Sequence, residues 1–403
     1  MKRIISAAAA LVMTAALAGC GNDIGEAKLT SITRSADSET EEVVSTAGQE
    51  TESVPADNGS AETQPSETTP PETTTTTETT TETTTENTAV TVPEEDVMPS
   101  YGEWAANDII IADRYEGDKI RALLPFYSTD SIGQWYAEVL NGYKEMVGDD
   151  VNVYNMSIPL ASQFYMPESM GDPYGDQADG IKNIGEALVN VKNVDLIDTI
   201  SAHLNEYIYS RTDHHWQPLG AYYAAQKFCE EAGVPFAADL GTYEKCVKDG
   251  FCGTMNAFTN YAIPELAAHP DTFTYYKPSN EYTTTYYDDA FISGTEGDLF
   301  FDWVEGVGCY SVFMGGDTQI TEIKTDVGNG RCLVLIKDSY GNALVPFFVG
   351  SFEKIYVVDF RYAEIGMKEL FEKVGATDIL FGMSISSGYT PGQIEAIEGI
   401  KGE

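Results

Sequence analysis

Apolar positions between residues 98 and 403 recur with helix and strand periods in alternation. Over residues 131–147 they recur every three or four positions, which predicts a helix with one apolar face. Residues 218–233 predict a second helix, with Pro218 in its first turn and Gly233 just past its last turn. These two segments are the clearest helical patterns in the chain.

Short apolar runs predict strands between the helices. The run CLVLI is apolar throughout, which is typical of a strand buried on both faces. The predicted strands are 108–112, 151–158, 194–198, 206–210, 310–314, 332–336, 354–358 and 378–381. Shorter helices are predicted over 183–191, from about 340, and over 367–373. Strands that alternate with helices indicate an α/β fold, a three-layer sandwich with a mostly parallel central sheet.

Residues 234–317 depart from that alternation. Segments such as TFTYYKPSNEYTTTYYDD carry Tyr and Thr at strand-like spacing around a turn. We interpret this stretch as an inserted, irregular β-rich region of the domain 98–403. Its tyrosines either form a sugar-stacking surface or simply cover a sheet, and the sequence leaves both open.

The N-terminus has the pattern of a secreted lipoprotein. A short basic start precedes an apolar run over 4–17, too short for a transmembrane helix of ~20 residues. Residues 1–19 therefore predict a signal peptide, and LAGC resembles a lipobox that makes Cys20 the lipidated first residue. This predicts an extracytoplasmic protein attached to the bacterial cell membrane through a lipid anchor. The alternative is an ordinary signal cut that leaves Cys20 as a free thiol.

Residues 20–97 are rich in Thr, Glu, Ser and Pro and contain no aromatic residue. Such a segment cannot bury enough surface to offset chain entropy, so we predict a disordered stalk. The whole chain has a formal net charge of −41, which disfavours binding to nucleic acid. Neutral sugars and cationic groups are compatible with an acidic surface.

The five cysteines after Cys20 do not form a metal-binding or full disulfide pattern. Their count is odd, no CxxC occurs, and at most Cys246 and Cys252 are placed to bridge. No P-loop and no well-placed dinucleotide motif is present. We therefore predict neither a structural zinc site nor a nucleotide cofactor.

Two predicted strand ends carry candidate catalytic groups. The segment TDHHW follows one strand and precedes the helix 218–233, and KDSYG follows the strand CLVLI. Functional groups collect at the C-terminal ends of parallel strands. Ser339 needs a base to become a nucleophile, and His215, oriented by Asp213, supplies the pattern of a serine-hydrolase triad.

Other interpretations of these segments stay open. Ser339 or Asp338 could simply cap a helix. Asp213, His214 and His215 could together bind a metal, although adjacent histidines on an extended segment point apart. In the triad interpretation, His214 is a packing or hydrogen-bonding neighbour.

The segments TDHHWQPLGAYYAAQ, LVLIKDSYGNALVPFF and KIYVVDFRY together resemble the bacterial DHHW family. That family is in turn similar to the SGNH-hydrolase-like domains of alginate O-acetyltransferases, in which the Asp-x-His-Trp motif precedes the serine. The resemblance covers about residues 105–385. It implies Ser339 as nucleophile, His215 as base and Asp213 as the residue that orients the base. From the missing nucleotide motifs and metal spacings, we predict that the site uses no cofactor and no metal.

The resemblance also marks two departures and three auxiliary candidates. Lys337 stands where the family's serine block has Gly, and Asp317 stands where Asn is commoner in a Gly-Gly-Asn segment. An ionised Asp cannot donate to an oxyanion, so residue 317 is a doubtful donor. The candidates for oxyanion or auxiliary roles are Tyr340, Gly316 and Asn342, although a turn after a strand is the simpler interpretation of Gly316 and a position in the first turn of a helix is the simpler one of Asn342.

Two functions compete at the level of the sequence. One is an esterase or O-acyltransferase, most simply an O-acetyltransferase, acting on an extracytoplasmic glycan or its acyl ester. The other is a catalytically inactive protein of the same fold that binds or scaffolds components of the cell envelope.

Overall fold

The computed structural model describes residues 101–115, 119–171, 175–317 and 320–402. The predicted signal peptide, the lipidation site at Cys20 and the stalk lie outside these residues. No helix within the described ranges combines the length and the apolar character needed to cross a membrane.

In the part of the chain that the structure describes, thirteen strands and eleven α-helices carry the fold, together with short 3-10 turns. The strands are β1 Gly102–Trp104, β2 Ile110–Tyr115, β3 Lys119–Leu123, β4 Asn152–Ile158, β5 Lys192–Asn193, β6 Glu244–Phe251, β7 Asp271–Lys277, β8 Tyr282–Tyr287, β9 Gly294–Gly297, β10 Ile320–Thr325, β11 Cys332–Lys337, β12 Lys354–Asp359 and β13 Asp378–Ser384. The helices are α1 Asp130–Val147, α2 Ser162–Tyr165, α3 Gln177–Ala187, α4 Ile197–Ser201, α5 Pro218–Ala232, α6 Thr254–Phe258, α7 Pro264–Ala268, α8 Val345–Phe348, α9 Met367–Val374, α10 Ile385–Gly388 and α11 Pro391–Gly399.

The central sheet has eight strands in the order β5-β4-β13-β11-β12-β10-β8-β9. The strands from β5 to β12 run parallel to one another. Beyond β12, the pairs β12–β10, β10–β8 and β8–β9 are antiparallel. The sheet is therefore mixed, and the predicted mostly parallel sheet has to be corrected. The reason is that β8 and β9, within residues 234–317, extend the sheet as a hairpin beside β10.

Helices cover both faces of the parallel half. Tyr154 on β4 packs edge-on against Phe228 of α5, with ring centroids 5.1 Å apart. The next residue, Asn155, accepts a hydrogen bond of 3.2 Å from Tyr136 of α1. Because successive side chains of a strand point to opposite faces, α1 and α5 lie on opposite sides of the sheet. All six residues of β11, which lies between β13 and β12, are buried.

Several predicted elements are confirmed with small boundary shifts. The helices over 131–147 and 218–233 are α1 and α5, and the strands over 332–336 and 354–358 are β11 and β12. The tyrosines of residues 234–317 mostly cover the sheet, since Tyr275, Tyr276 and Tyr286 are buried. The five described cysteines are free thiols, so Cys246 and Cys252 do not bridge.

Four predicted elements are wrong or displaced. The strand over 206–210 is reduced to one antiparallel bridge between Tyr209 and Trp216, because the segment pairs only with the residues that follow it in the same loop. In place of the strand over 194–198, helix α4 begins at Ile197, whose amide donates to the Asp195 side chain.

The other two corrections follow from local capping and turns. The helix predicted over 183–191 begins earlier, at Gln177, because Asp176 caps its N-terminus. The strand predicted over 310–314 is instead the end of a 3-10 turn, Gly306–Val312, followed by a single bridge at Phe313.

Candidate active site

Ser339 lies directly beyond the C-terminal end of β11, the buried central strand. Asp338 caps the 3-10 turn Ser339–Leu344 that follows, and Ser339 is its first residue. Ser339 is partly exposed while its neighbours on both sides are buried, so its hydroxyl is reachable from solvent.

Asp338 fixes this turn with four hydrogen bonds. One oxygen accepts from the Tyr340 amide, and the other accepts from the amide and hydroxyl of Ser384 and the hydroxyl of Ser387. Its carboxylate therefore ties the end of β11 to the end of β13. The predicted capping role of Asp338 is confirmed.

Gly341 completes the turn because no side chain fits there. A Cβ at this position would lie 2.5 Å from Lys337 Cβ and 2.7 Å from the carbonyl oxygen of Gly382. The glycine of the KDSYG segment thus lets the turn close against the strands that carry it.

The Asp-x-His spacing of TDHHW produces a local turn. Oδ1 of Asp213 accepts a hydrogen bond of 3.0 Å from the backbone amide of His215, two residues on. This is the Asx geometry that short acidic side chains favour in turns. The same oxygen accepts from Nδ1 of His215 at 2.6 Å. One carboxylate oxygen therefore fixes both the backbone and the ring of the histidine.

The structure brings Ser339, His215 and Asp213 together. Nε2 of His215 lies 2.7 Å from Oγ of Ser339, and Nδ1 lies 2.6 Å from Asp213. His215 and Asp213 are buried, whereas Ser339 is partly exposed. With Nδ1 donating to the carboxylate, Nε2 is left as the acceptor for the serine proton. We call these three residues the triad.

The second oxygen of Asp213 is held by a segment distant in sequence. Oδ2 accepts from the backbone amide of Thr254 at 2.8 Å and from its hydroxyl at 2.9 Å. The approach is so close that a Cβ on Gly253 would lie 2.3 Å from Cβ of Asp213. Burial alone would raise the pKa of Asp213, but His215, His214 and these hydrogen bonds hold it below its usual value. Asp213 is therefore a carboxylate that remains ionised.

The ring of His215 is held between two other rings. Tyr310 stacks on it with centroids 3.7 Å apart and planes 4° from parallel, and His214 lies 3.7 Å away on a tilt of 38°. Such contacts restrict rotation of the imidazole about its side-chain bonds. They hold the ring in the orientation in which Nδ1 faces Asp213 and Nε2 faces Ser339.

His214 is a neighbour of the triad with a different environment. Its Nδ1 lies 2.6 Å from the Thr254 hydroxyl, which itself donates to Asp213. Burial, followed by the influence of His215, lowers the pKa of His214 to about 3. His214 is therefore neutral at ordinary pH.

The ligand-capable atoms of Asp213, His214 and His215 lie within 4.8 Å of one another, so distance alone permits a metal ion. The hydrogen bonds argue otherwise. Oδ1 of Asp213 is shared with His215, Oδ2 with Thr254, and Nε2 of His215 with Ser339. A metal ion would have to replace the contacts that define the triad, and this donor set is better matched to proton transfer.

Buried aromatic side chains connect the two loops of the triad. The indole of Trp216 donates to the carbonyl oxygen of Tyr340 at 3.1 Å, and the hydroxyl of Tyr310 donates to the same oxygen at 3.1 Å. The hydroxyl of Tyr340 in turn donates to the carbonyl oxygen of His214. The Trp of TDHHW and the Tyr of KDSYG therefore fix the distance between His215 and Ser339.

Four charged side chains form a paired group beside Ser339, which we call the ion cluster: Lys337, Asp317, Asp359 and Arg361. Nζ of Lys337 lies 3.0 Å from Asp317 and 2.9 Å from Asp359, and Arg361 bonds the same two carboxylates at 3.0 and 2.6 Å. Burial alone would raise the pKa of Asp317, but Lys337 and Arg361 hold it below its usual value. The two departures from the family pattern, at 317 and 337, are thus partners of each other.

The three predicted auxiliary donors already make hydrogen bonds within the protein. The Tyr340 amide donates to Asp338, the Asn342 side-chain amide donates to Asp317 at 2.7 Å, and the Gly316 amide donates to the Phe313 carbonyl oxygen. The backbone amide of Ser339 makes no hydrogen bond among the described residues. It is the donor left for a charge that develops beside the serine.

Sequence reasoning missed Thr254, Tyr310 and Asp271. Asp271 is buried and accepts from the amides of Arg211 and Thr212, which fixes the start of the TDHHW loop. All three come from residues 234–317, distant in sequence from both motifs. The only local signal is Gly253 before Thr254, and it becomes meaningful only when the close approach to Asp213 is known.

The sequence matches the model of the DHHW protein family over residues 117–358. The structure is similar to a DHHW family protein from Eubacterium siraeum, at 44% identity and a TM-score of 0.70, covering 74% of this chain and 97% of that one. It is also similar to Bacillus cereus PatB1 with a sulfonyl adduct, at 17% identity and a TM-score of 0.58, covering 71% and 98%.

A weaker likeness is to the O-acetyltransferase domain of Pseudomonas putida AlgJ, at 12% identity and a TM-score of 0.40, covering 70% and 97%. No curated protein matches the sequence at a significant level.

Proposed function

The chain belongs to the DHHW protein family, and on that premise we propose that it is a serine-dependent acyl-transfer enzyme with an SGNH-hydrolase-like domain. The observation that carries the proposal is the chain of two short hydrogen bonds from Ser339 through His215 to Asp213. Nucleophile, base and orienting carboxylate are the parts that acyl transfer requires.

In the proposed reaction, Oγ of Ser339 attacks the carbonyl carbon of an acyl ester while Nε2 of His215 takes the serine proton. The tetrahedral intermediate expels the alcohol, which receives that proton from His215, and an acyl-enzyme remains. Water or a sugar hydroxyl then attacks the acyl carbon and gives its proton to His215; the bond to Oγ of Ser339 breaks, and Oγ takes that proton back from His215. Asp213 stays ionised throughout and stabilises the imidazolium.

The developing oxyanion needs a donor, and the Ser339 amide is the candidate we favour. Removal of one such donor from a serine enzyme costs ~3 kcal/mol of transition-state stabilisation. The auxiliary roles of Tyr340, Gly316 and Asn342 remain predictions. The amides of Tyr340 and Gly316 would have to exchange their present hydrogen bonds, whereas the Asn342 side chain has a second N–H beside the one bonded to Asp317.

We further propose that the acyl group is acetyl and that it is carried by an extracytoplasmic glycan. The predicted signal peptide and the predicted lipid anchor at Cys20 support a location outside the cell membrane, and the acidic surface is compatible with sugars. The fold shared with PatB1, whose structure carries a sulfonyl adduct, makes a reactive serine testable with the same class of reagent.

A specific observation supports the second candidate, an inactive binding or scaffold protein. The backbone amides of Tyr340 and Gly316 are engaged elsewhere, one of the two N–H donors of the Asn342 side chain is bonded to Asp317, and the ion cluster occupies positions 317 and 337. A protein that lacks a complete oxyanion site would keep the fold and the triad contacts but would not turn over an ester.

The two candidates are separated by acetyl-ester hydrolysis and acetyl transfer to a saccharide, assayed on the wild type beside Ser339→Ala and His215→Ala. The enzyme proposal predicts turnover by the wild type and losses of roughly 10³-fold or more in each variant. Equal rates in all three proteins would contradict it.

A further inference from the structure

A cavity of about 540 Å³ opens in residues 277–302, and no triad residue lines it. Its walls come from the end of β7, the start of β8, and the segment that follows β9. We propose that this cavity is a binding subsite for an amine-bearing saccharide. The inference rests on the proposed function for one point, that the ligand is a glycan.

The charge of the cavity selects against acidic ligands. Three carboxylates line it, those of Glu296, Asp298 and Asp302, against the single ammonium of Lys277. Asp302 is already committed, because it accepts from Lys277 at 2.5 Å and from the Tyr275 hydroxyl at 2.6 Å. Glu296 and Asp298 make no side-chain hydrogen bond or ion pair within the described ranges. Two exposed carboxylates are therefore free to accept from hydroxyl and ammonium groups.

An independent observation points to a ligand. Thr284 lines the cavity and is only 4% exposed, yet its hydroxyl has no hydrogen-bond partner among the described residues. A buried hydroxyl without a partner is costly and is expected to be satisfied by something that binds. A hydroxyl of a bound sugar supplies both a donor and an acceptor at that position.

Aromatic side chains complete the subsite. Tyr282 lies two residues before Thr284 on β8, so both side chains point to the same face, and Phe300 lies on another wall. Flat apolar surfaces beside convergent polar groups are typical of small-ligand sites and suit the C–H face of a sugar ring. A simple polycation site would not need them.

Ring contacts connect the cavity to the triad. Phe300 contacts Phe313 with centroids 6.2 Å apart, Phe313 contacts Tyr310 at 5.8 Å, and Tyr310 stacks on His215. The cavity is therefore three ring contacts from the catalytic base. A glycan bound there would be held by the same body of the protein that carries Ser339.

The test is isothermal titration of the full chain with hexasaccharides of glucosamine, N-acetylglucosamine and galacturonate. We expect the glucosamine polymer to bind most tightly, the N-acetylated polymer more weakly, and the galacturonate polymer not at all. The double variant Glu296→Gln/Asp298→Asn should weaken glucosamine binding by roughly tenfold or more. The matched control Glu145→Gln/Asp149→Asn removes two exposed charges outside the cavity and should bind as the wild type does.

Thr284→Val separates the hydroxyl from the charges. The substitution should weaken saccharide binding by about fivefold, while the unliganded protein melts no earlier than the wild type because an unpaired buried hydroxyl is lost. A lower melting temperature with unchanged binding would show that this hydroxyl serves the fold and not a ligand.

Several results would overturn the subsite. They are no saccharide binding, binding unaffected by the cavity variants, binding of galacturonate as tight as glucosamine, and binding of pentalysine as tight as any sugar. Titration of Ser339→Ala, which should bind as the wild type does, keeps this test apart from catalysis. Acetyl-ester turnover in the cavity variants then reports on the proposed function alone.

Discussion

The triad and the ion cluster lie side by side at the C-terminal end of β11, and they use buried charge in opposite ways. In the ion cluster, Lys337 and Arg361 each contact both Asp317 and Asp359, so two cations neutralise two carboxylates. In the triad, Asp213 is ionised, and in the reaction we propose its partner His215 takes up a proton from Ser339 only as the serine attacks. The charges of the ion cluster are paired in the resting protein. The charge of Asp213 gains an opposite charge on His215 only in the proposed reaction.

The difference explains what each group can do. A carboxylate whose charge is already shared by two cations is neutralised within the protein before any reaction begins. Asp213 accepts hydrogen bonds from His215 and Thr254 and does not share its charge with two cations, so it can stabilise a charge that appears on His215. We therefore expect substitutions in the triad to affect turnover, and substitutions in the ion cluster to affect stability.

The largest effect is expected for Asp213→Asn. The substitution keeps the size of the side chain but removes the charge and the correct acceptor for Nδ1 of His215. Acetyl-ester turnover should fall by about 10⁴-fold, as loss of the orienting carboxylate does in serine proteases. Steady-state kinetics of the purified variant measures it.

The matched control is Asp378→Asn, at the first residue of β13. Asp378 is also buried, and it pairs with Arg331 at 2.5 Å. Its substitution should reduce the free energy of unfolding but leave the activity of folded protein intact. Equal losses of activity in both variants would mean that Asp213 acts only through the fold.

The next largest effect is expected for Asp317→Asn. Lys337 is buried and would keep a single carboxylate, so the free energy of unfolding should decrease by about 3–5 kcal/mol. Urea denaturation measures the change, and the folded variant should retain most of its turnover. A variant as stable as the wild type but inactive would place Asp317 in the catalytic machinery and erase the contrast between the two groups.

A pH-dependent effect is expected from His214. In the folded protein its pKa is lowered to about 3, whereas an unfolded histidine titrates near ~6.5. Below that pH the unfolded state binds a proton that the folded state does not. Stability should therefore fall with decreasing pH by up to ~1.4 kcal/mol per unit from this residue alone.

The check is the free energy of unfolding of wild type and His214→Gln between pH 7 and pH 4. Replacement of the histidine should make the decrease shallower, whatever its effect at neutral pH. Parallel curves would contradict this expectation, because they would show that His214 binds a proton as readily in the folded protein as in the unfolded chain.

The smallest effect is expected for Thr254→Val, which removes the hydroxyl that bonds both Asp213 and Nδ1 of His214 and keeps the backbone hydrogen bond to Asp213. A hydrogen bond to a charged group contributes about 1.5–3 kcal/mol, so kcat/KM should fall by roughly tenfold or somewhat more. Thr259→Val is the control, because that buried hydroxyl bonds only the Asn256 carbonyl oxygen nearby. Similar losses in both variants would assign the effect to packing of α6.

The residues of the triad could be predicted from sequence because their signals are local. The Asp-x-His spacing makes an Asx turn, and the apolar run before KDSYG identifies a buried strand whose end must carry Ser339. Helices α1 and α5 were equally predictable from their periodicity. In each case a few adjacent residues determine the geometry.

The missed features depend on contacts between distant segments. Thr254 and Tyr310 belong to residues 234–317, whose irregular pattern gives no indication that they reach Asp213 and His215. The mixed sheet was missed for a related reason, since β8 and β9 join it only through pairing with β10. The ion cluster could not be predicted, because the positions of Asp317 and Lys337 in the sequence do not reveal that their side chains lie together.

The most direct test of a reactive triad is labelling of the intact protein with a fluorophosphonate, followed by mass spectrometry of its peptides. A working Ser339–His215–Asp213 arrangement predicts one adduct, on Ser339, that is absent in Ser339→Ala and forms far more slowly in His215→Ala. A wild-type protein that takes up no label, or that is labelled on another residue while Ser339 stays free, would contradict it.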